Sequence, residues 1–237
     1  MNNKNLKLSF ILFLGIGFVS LKAQMPENTF TDPRDGNIYS TVTIGRQVWL
    51  AENLRFLPSV FSPLTGSQSK PYYYVYGYQG TDVQAAKNTP NYSTYGVLYN
   101  WPAAVGGEQG SEAVRGMVQG ACPDGWHLPD DSEWTELIEF LQGEGHAGTE
   151  CIVLKTRTGW ENDGNGTDIY GFSALPAGGR YTLFDPFNGL GKNARFWSST
   201  GASDTTSWYR TLGYLNNEVY RLDTNKELGF SVRCLKD

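Results

Sequence analysis

Residues 122–137 read Cys122-Pro-Asp-Gly-Trp-His-Leu-Pro-Asp-Asp-Ser-Glu-Trp-Thr-Glu-Leu137 and combine a cysteine, a turn, a short apolar strand and a helix start. Pro123-Asp-Gly125 is a tight turn, because proline presets φ and glycine accepts a positive one. Trp126, His127 and Leu128 then form a brief extended run closed by Pro129. Asp130 is a good N-cap, and Glu133 three positions later has the spacing of a capping box. Trp134, Leu137, Ile138 and Leu141 follow at i, i+3, i+4 and i+7, one apolar stripe on a helix that Gly143 can end. A partner segment lies near the other end of the chain. There Gly229-Phe-Ser-Val-Arg-Cys234 alternates apolar and polar residues as a half-buried strand does.

The 237 residues leave room for one sizeable domain or two small ones. Lys4 and Lys7 precede an apolar run from Leu8 to Val19, and Ala23 stands at a small-residue cleavage position. Residues 1–23 therefore read as a secretory signal peptide, too short in their apolar part to span a membrane. Residues 24–31 read as a polar leader, and residues 32–237 as a single domain. The expected location is outside the cytoplasm: secreted, periplasmic or on a bacterial cell surface. Losing Lys4, Lys7 and Lys22 takes the formal charge from −5 to −8. So acidic a product is a poor partner for nucleic acid or an anionic membrane. Aromatic residues make up 14% and charged residues only 18%, a balance that suits strands and long loops rather than a disordered tail.

Three cysteines in an exported chain imply one disulfide and one leftover thiol. Three pairings are open. Cys122 with Cys234 is favoured because each lies in a strongly structured motif, and that bond would contribute roughly 4–5 kcal/mol. Cys151 reads as a buried, inert thiol at the start of a short strand, since no cation flanks it closely.

Residues 37–51 read as a β-hairpin, with Asp35-Gly36 as an earlier turn signal. Pro102 sits where a short helix starts, near residues 102–105, and residues 106–120 are a glycine-rich connection. Residues 172–181 look like a strand ending in a glycine turn. Four short strands then follow at hairpin spacing, in the segments beginning at Arg195, Ser207, Glu218 and Phe230. One α+β domain accounts for the order.

Several motifs together resemble a known family. They are Arg34-Asp-Gly-Asn-Ile-Tyr, Ile44-Gly-Arg-Gln-Val-Trp-Leu-Ala-Glu-Asn-Leu54, Cys122-Pro-Asp-Gly-Trp-His-Leu-Pro, Gly171-Phe-Ser-Ala-Leu-Pro-Ala-Gly-Gly-Arg180, Phe196-Trp-Ser-Ser-Thr and Gly229-Phe-Ser-Val-Arg-Cys. In this order they look like the Fibrobacter succinogenes major paralogous domain. That family in turn is similar to the C-type-lectin-like superfamily. The resemblance implies two short helices, small twisted antiparallel sheets, long loops and a disulfide from before the second helix to the last strand. Cys151 departs from the pattern.

Asp163, Asn165 and Asp168 are hard oxygen ligands between glycines, a pattern that suits Ca²⁺, although no EF-hand glutamate follows. The competing reading is a polar turn whose side chains bond their own backbone. His127 and His146 have no zinc spacing, and His127 reads as structural, with one ring nitrogen on backbone. No nucleophile elbow, zincin motif or phosphate loop is present, and no pair of carboxylates stands out for glycoside hydrolysis. Residues 197–227 instead carry Trp208, Tyr209, Tyr214, Asn216, Asn217, Tyr220, Asp223 and Asn225 among serines and threonines. Aromatic platforms with amide hydrogen-bonders suit sugar rings and protein epitopes alike. The expectation is a non-enzymatic module that binds a glycan or a surface protein. A structural component of an envelope assembly is the alternative, and an enzyme of unidentified chemistry comes third.

Overall fold

The computed structural model describes residues 28–107, 117–182 and 185–237. The signal segment, the first half of the 24–31 leader and the middle of the 106–120 connection lie outside the described residues. In chain order the elements begin with β1 (Thr29–Thr31), β2 (Ile38–Ile44), β3 (Gln47–Leu50), β4 (Tyr73–Tyr74), α1 (Val83–Lys87), α2 (Pro90–Tyr95), β5 (Leu98–Tyr99) and α3 (Trp101–Ala104). They continue with β6 (Trp126–His127), α4 (Asp131–Leu141), α5 (Glu150–Leu154), β7 (Ala177–Arg180) and β8 (Phe187–Leu190). The last are β9 (Asn193–Gly201), β10 (Thr206–Gly213), β11 (Tyr220–Asn225) and β12 (Leu235–Lys236).

Among the described residues these strands form four small sheets, with every pairing between them antiparallel. The largest has the order β1-β2-β3-β12-β6, so the last strand is inserted between the early hairpin and β6. The hairpin turn at Gly45 has φ +61°, and a Cβ there would stand 2.9 Å from the Phe140 ring. Only glycine lets α4 pack this closely on the turn.

The capping box on α4 is complete. The Asp130 side chain accepts from Glu133 N, and Glu133 accepts from Asp130 N, each at 2.8 Å. Trp134, Leu137 and Leu141 are buried beneath the helix, where Trp134 packs on Trp49 at 4.8 Å and on Phe196 at 5.7 Å. This is one of two main cores. The other gathers Trp197, Tyr209, Phe230, Val232 and the Cys122–Cys234 disulfide. Strand β9 separates them: Phe196 points into one and Trp197 into the other, as the period of two requires.

Several expectations need correction. Five helices stand among the described residues rather than two, though only α4 is longer than six residues. Cys151 lies in helix α5, not in a strand; its run of Cys-Ile-Val-Leu is short enough for periodicity not to separate the two. After Leu141 the chain does not stop at Gly143 but winds through a wide turn over Gln142–His146. Gly178 and Gly179 lie inside β7 rather than in a turn after it. The 229–234 segment is not a regular half-buried strand: Gly229, Phe230 and Ser231 make isolated bridges, and the segment is buried throughout. Ser231 and Arg233 are as enclosed as Phe230 and Val232. The Arg233 guanidinium donates to the carbonyls of Leu50 and Phe172 and to Asn53 Oδ1, and it stacks on Phe172 at 4.5 Å. Its hydrogen bonds are what make a buried cation tolerable.

Candidate functional site

The three-stranded sheet β11-β10-β9 buries most of β9 and β10 and exposes β11. β11 is an edge strand, and Tyr220, Arg221, Leu222 and Asp223 are all solvent-exposed. The pairing register sorts its residues onto two faces. Arg195, Thr211 and Tyr220 form one cross-strand row, and Trp197, Tyr209 and Leu222 form the next. Directly opposed residues share a face, so these two rows lie side by side. Toward β9 this face is closed by Phe230, whose ring stands 4.7 Å from Trp197 and 4.9 Å from Tyr209. Toward β11 it is open, with Tyr220 44% and Leu222 46% exposed. The result is a ledge: a floor of Thr211 and Tyr209, an open rim of Tyr220 and Leu222, and Arg195 and Tyr181 at the inner side.

The opposite face turns toward α4. Asp131, in the first turn of that helix, accepts from buried Arg210 at 2.6 Å and from Arg221 Nε at 2.9 Å. The Arg221 guanidinium lies 3.4 Å over the Trp208 ring. Trp208 is thus covered by a cation-π partner that Asp131 holds in place. An open groove runs along α4 beside this cluster, lined by Arg46, Asp130, Asp131, Thr135, Glu136 and Glu139. Its carboxylates are largely committed: Asp130 caps the helix, Asp131 joins the arginines, and Glu136 pairs with Arg46 at 3.1 Å.

The eight residues expected to bind ligand therefore do not converge. Tyr209 and Tyr220 share the open ledge, while Trp208 and Asp223 are directly paired and belong to the α4 side. Tyr214, Asn216 and Asn217 lie at the β10–β11 turn, where the carbonyl of Asn217 accepts from Cys151 N at 2.8 Å. Asn225, at the far end of β11, accepts from Gln68 and from Glu227 N. Sequence reasoning missed Arg195, Thr211, Tyr181 and Leu222. A strict period of two would have placed Arg195 with Trp197 on one face of β9, but nothing local shows which neighbours cover it.

In the 162–168 loop, Asn162, Asp163 and Asp168 all have positive φ. Asn165 Oδ1 accepts from Trp160 N at 3.1 Å, and Asp168 takes the Ser173 N–H and hydroxyl, both at 2.8 Å. These oxygens are engaged in turns of their own segment. Among the described residues no group of three or more His, Cys, Asp and Glu could hold a metal ion.

His127 is buried and bonds two carboxylates rather than backbone: Nδ1 to Asp237 and Nε2 to Glu133, each at 2.8 Å. Burial opposes the charged imidazole, but Glu133 and Asp237 outweigh it and raise the pKa. Cys151 is buried, and burial pushes its thiol up to about 11, so it is protonated near neutrality. Lys155, also buried, donates to the carbonyl of Gly213 at 3.2 Å and lies 5.0 Å from the Trp160 ring.

These features define a mixed α/β domain of small antiparallel sheets, closed by one disulfide and bearing an open aromatic sheet edge. The chain belongs to the Fibrobacter succinogenes major domain family, whose model matches residues 42–236. No curated protein and no solved structure matches the chain. No helix among the described residues is long and apolar enough to cross a membrane.

Proposed function

We propose that the protein is an exported, non-enzymatic binding module with a C-type-lectin-like fold, which recognises a glycan through the ledge of β9, β10 and β11. The observation that carries this reading is the rim of Tyr220 and Leu222 beside a floor of Thr211 and Tyr209. An exposed ring next to hydroxyl groups matches the apolar face and polar edge of a sugar. Residues 1–23 supply the export signal.

The test is a glycan array probed with the chain lacking residues 1–23, in calcium and in EDTA. Saturable binding that Tyr220→Ala abolishes supports the ledge. Loss in EDTA alone would assign Asp163, Asn165 and Asp168 a calcium role. Silence in both buffers would sink the glycan reading and turn attention to a surface protein as ligand.

The free edge of β11 favours one other reading, a structural component that adds strands from copy to copy. Arg221 and Asp223 on that edge oppose it, because charged edge residues discourage pairing. Concentration-dependent polymers in sedimentation would favour assembly, whereas a monomer would favour the binding module.

A further inference from the structure

The ledge contains a cation without a counter-charge. Arg34, Arg46, Arg55, Arg210 and Arg221 each pair with a carboxylate. The buried Arg180 and Arg233 donate instead to main-chain carbonyls. Arg195 does neither; its side-chain partner is the neutral Tyr209 hydroxyl. No carboxylate among the described residues makes an ion pair with it, and its Nη1 is buried with no hydrogen-bond partner. Its guanidinium carbon lies 5.6 Å from the centre of the Tyr181 ring and 5.7 Å from that of Phe230. Gly189 makes room for it: at φ +82°, a Cβ there would stand 3.1 Å from Arg195 Nη1. Sequence and packing thus keep a half-buried positive charge beside Thr211, in the same cross-strand row as exposed Tyr220.

We infer that the glycan bound on this ledge is acidic, and that Arg195 receives its carboxylate or sulfate group. This rests on the glycan-binding reading and names the class of sugar. The physical reason is the cost of a charge with no counter-ion, flanked by aromatic rings. An incoming anion forms charge-assisted hydrogen bonds there, and the attraction is stronger than in open water because the rings exclude solvent. Thr211 and Tyr209 offer hydroxyl groups to the rest of the sugar. Burial raises the Tyr209 pKa against the charge and the hydrogen bond of Arg195, so the phenol oxygen accepts from Arg195 while its O–H remains a neutral donor. Tyr220 supplies the surface on which a ring can lie. The whole chain carries a formal charge of −5, so selection of an anion depends on this local group and not on long-range attraction.

The test uses matched pairs on one array: uronate-bearing and sialylated glycans with their carboxyl-reduced forms, and sulfated glycans with their desulfated forms. The chain lacking residues 1–23 is expected to bind the acidic member of a pair and to lose at least about ten-fold on the neutral member. Which pair responds separates carboxylate from sulfate. Arg195→Gln should lose a similar factor on the acidic glycan and nothing on the neutral one, while Arg195→Lys should recover part of the loss. Equal binding of both members by the unsubstituted protein overturns the inference without needing any variant to fold. Neutral-glycan binding that Tyr220→Ala abolishes and Arg195→Gln leaves intact overturns the inference alone, with the ledge still standing. Silence of every glycan overturns both.

Discussion

Replacing Cys122 and Cys234 together by alanine gives the largest single loss of stability that can be worked out from the structure. The bond joins residues 112 apart in sequence, and both cysteines are fully buried in the core around Trp197 and Phe230. Closing a loop of that length removes chain entropy from the unfolded state worth about 5 kcal/mol at 25 °C. Truncating two packed sulfurs adds roughly 1 kcal/mol for the space left behind. Domains of this kind have about 5–15 kcal/mol in all, so the variant should sit near the lower edge of foldability. Urea unfolding followed by tryptophan fluorescence measures it, with seven tryptophans as reporters. The midpoint should fall sharply, and the m value should rise because the uncrosslinked unfolded chain exposes more surface. A loss under about 2 kcal/mol with an unchanged m would refute the loop-closure reasoning.

Three further outcomes follow from the geometry. Folding raises the pKa of His127 above the value of about 6.5 expected in the unfolded chain. Its stabilisation is therefore complete below about pH 6.5 and is lost as pH climbs through the folded pKa. The stability gap between the wild type and His127→Gln should narrow over that rise, and a gap that widens with pH would contradict the carboxylate–imidazolium–carboxylate arrangement. Arg233→Met should cost at least about 3 kcal/mol, because the carbonyls of Leu50 and Phe172 and the Asn53 side chain lose their donor; chemical denaturation reads it directly. Asp130→Ala should cost about 1 kcal/mol through loss of the capping box, visible as a lowered Tm.

The sequence was most informative where local rules act alone. The Asp130–Glu133 box and the hairpin over 37–51 depend on neighbours within a few residues, and both stand as read. The Cys122–Cys234 bond was legible because two strong motifs flank it. What failed depended on distant packing. Arg233 reads as the polar face of a half-buried strand, yet Phe172 and Phe196 from other segments enclose it. His127 bonds Asp237, 110 positions away, which no spacing rule can reveal. At the candidate site, Tyr209 and Tyr220 were recognisable by type. Their partner Arg195 emerged only from the register of β9 on β10. The same register moved Trp208 to the other face, beneath Arg221.

The most direct test of the ledge as a recognition site is an amide chemical-shift titration of the chain lacking residues 1–23 with its strongest array glycan. Saturable shifts should concentrate at Arg195, Tyr209, Thr211, Tyr220 and Leu222. Shifts centred instead on the 162–168 loop or the groove along α4, or no saturable shift at any residue, would contradict the account.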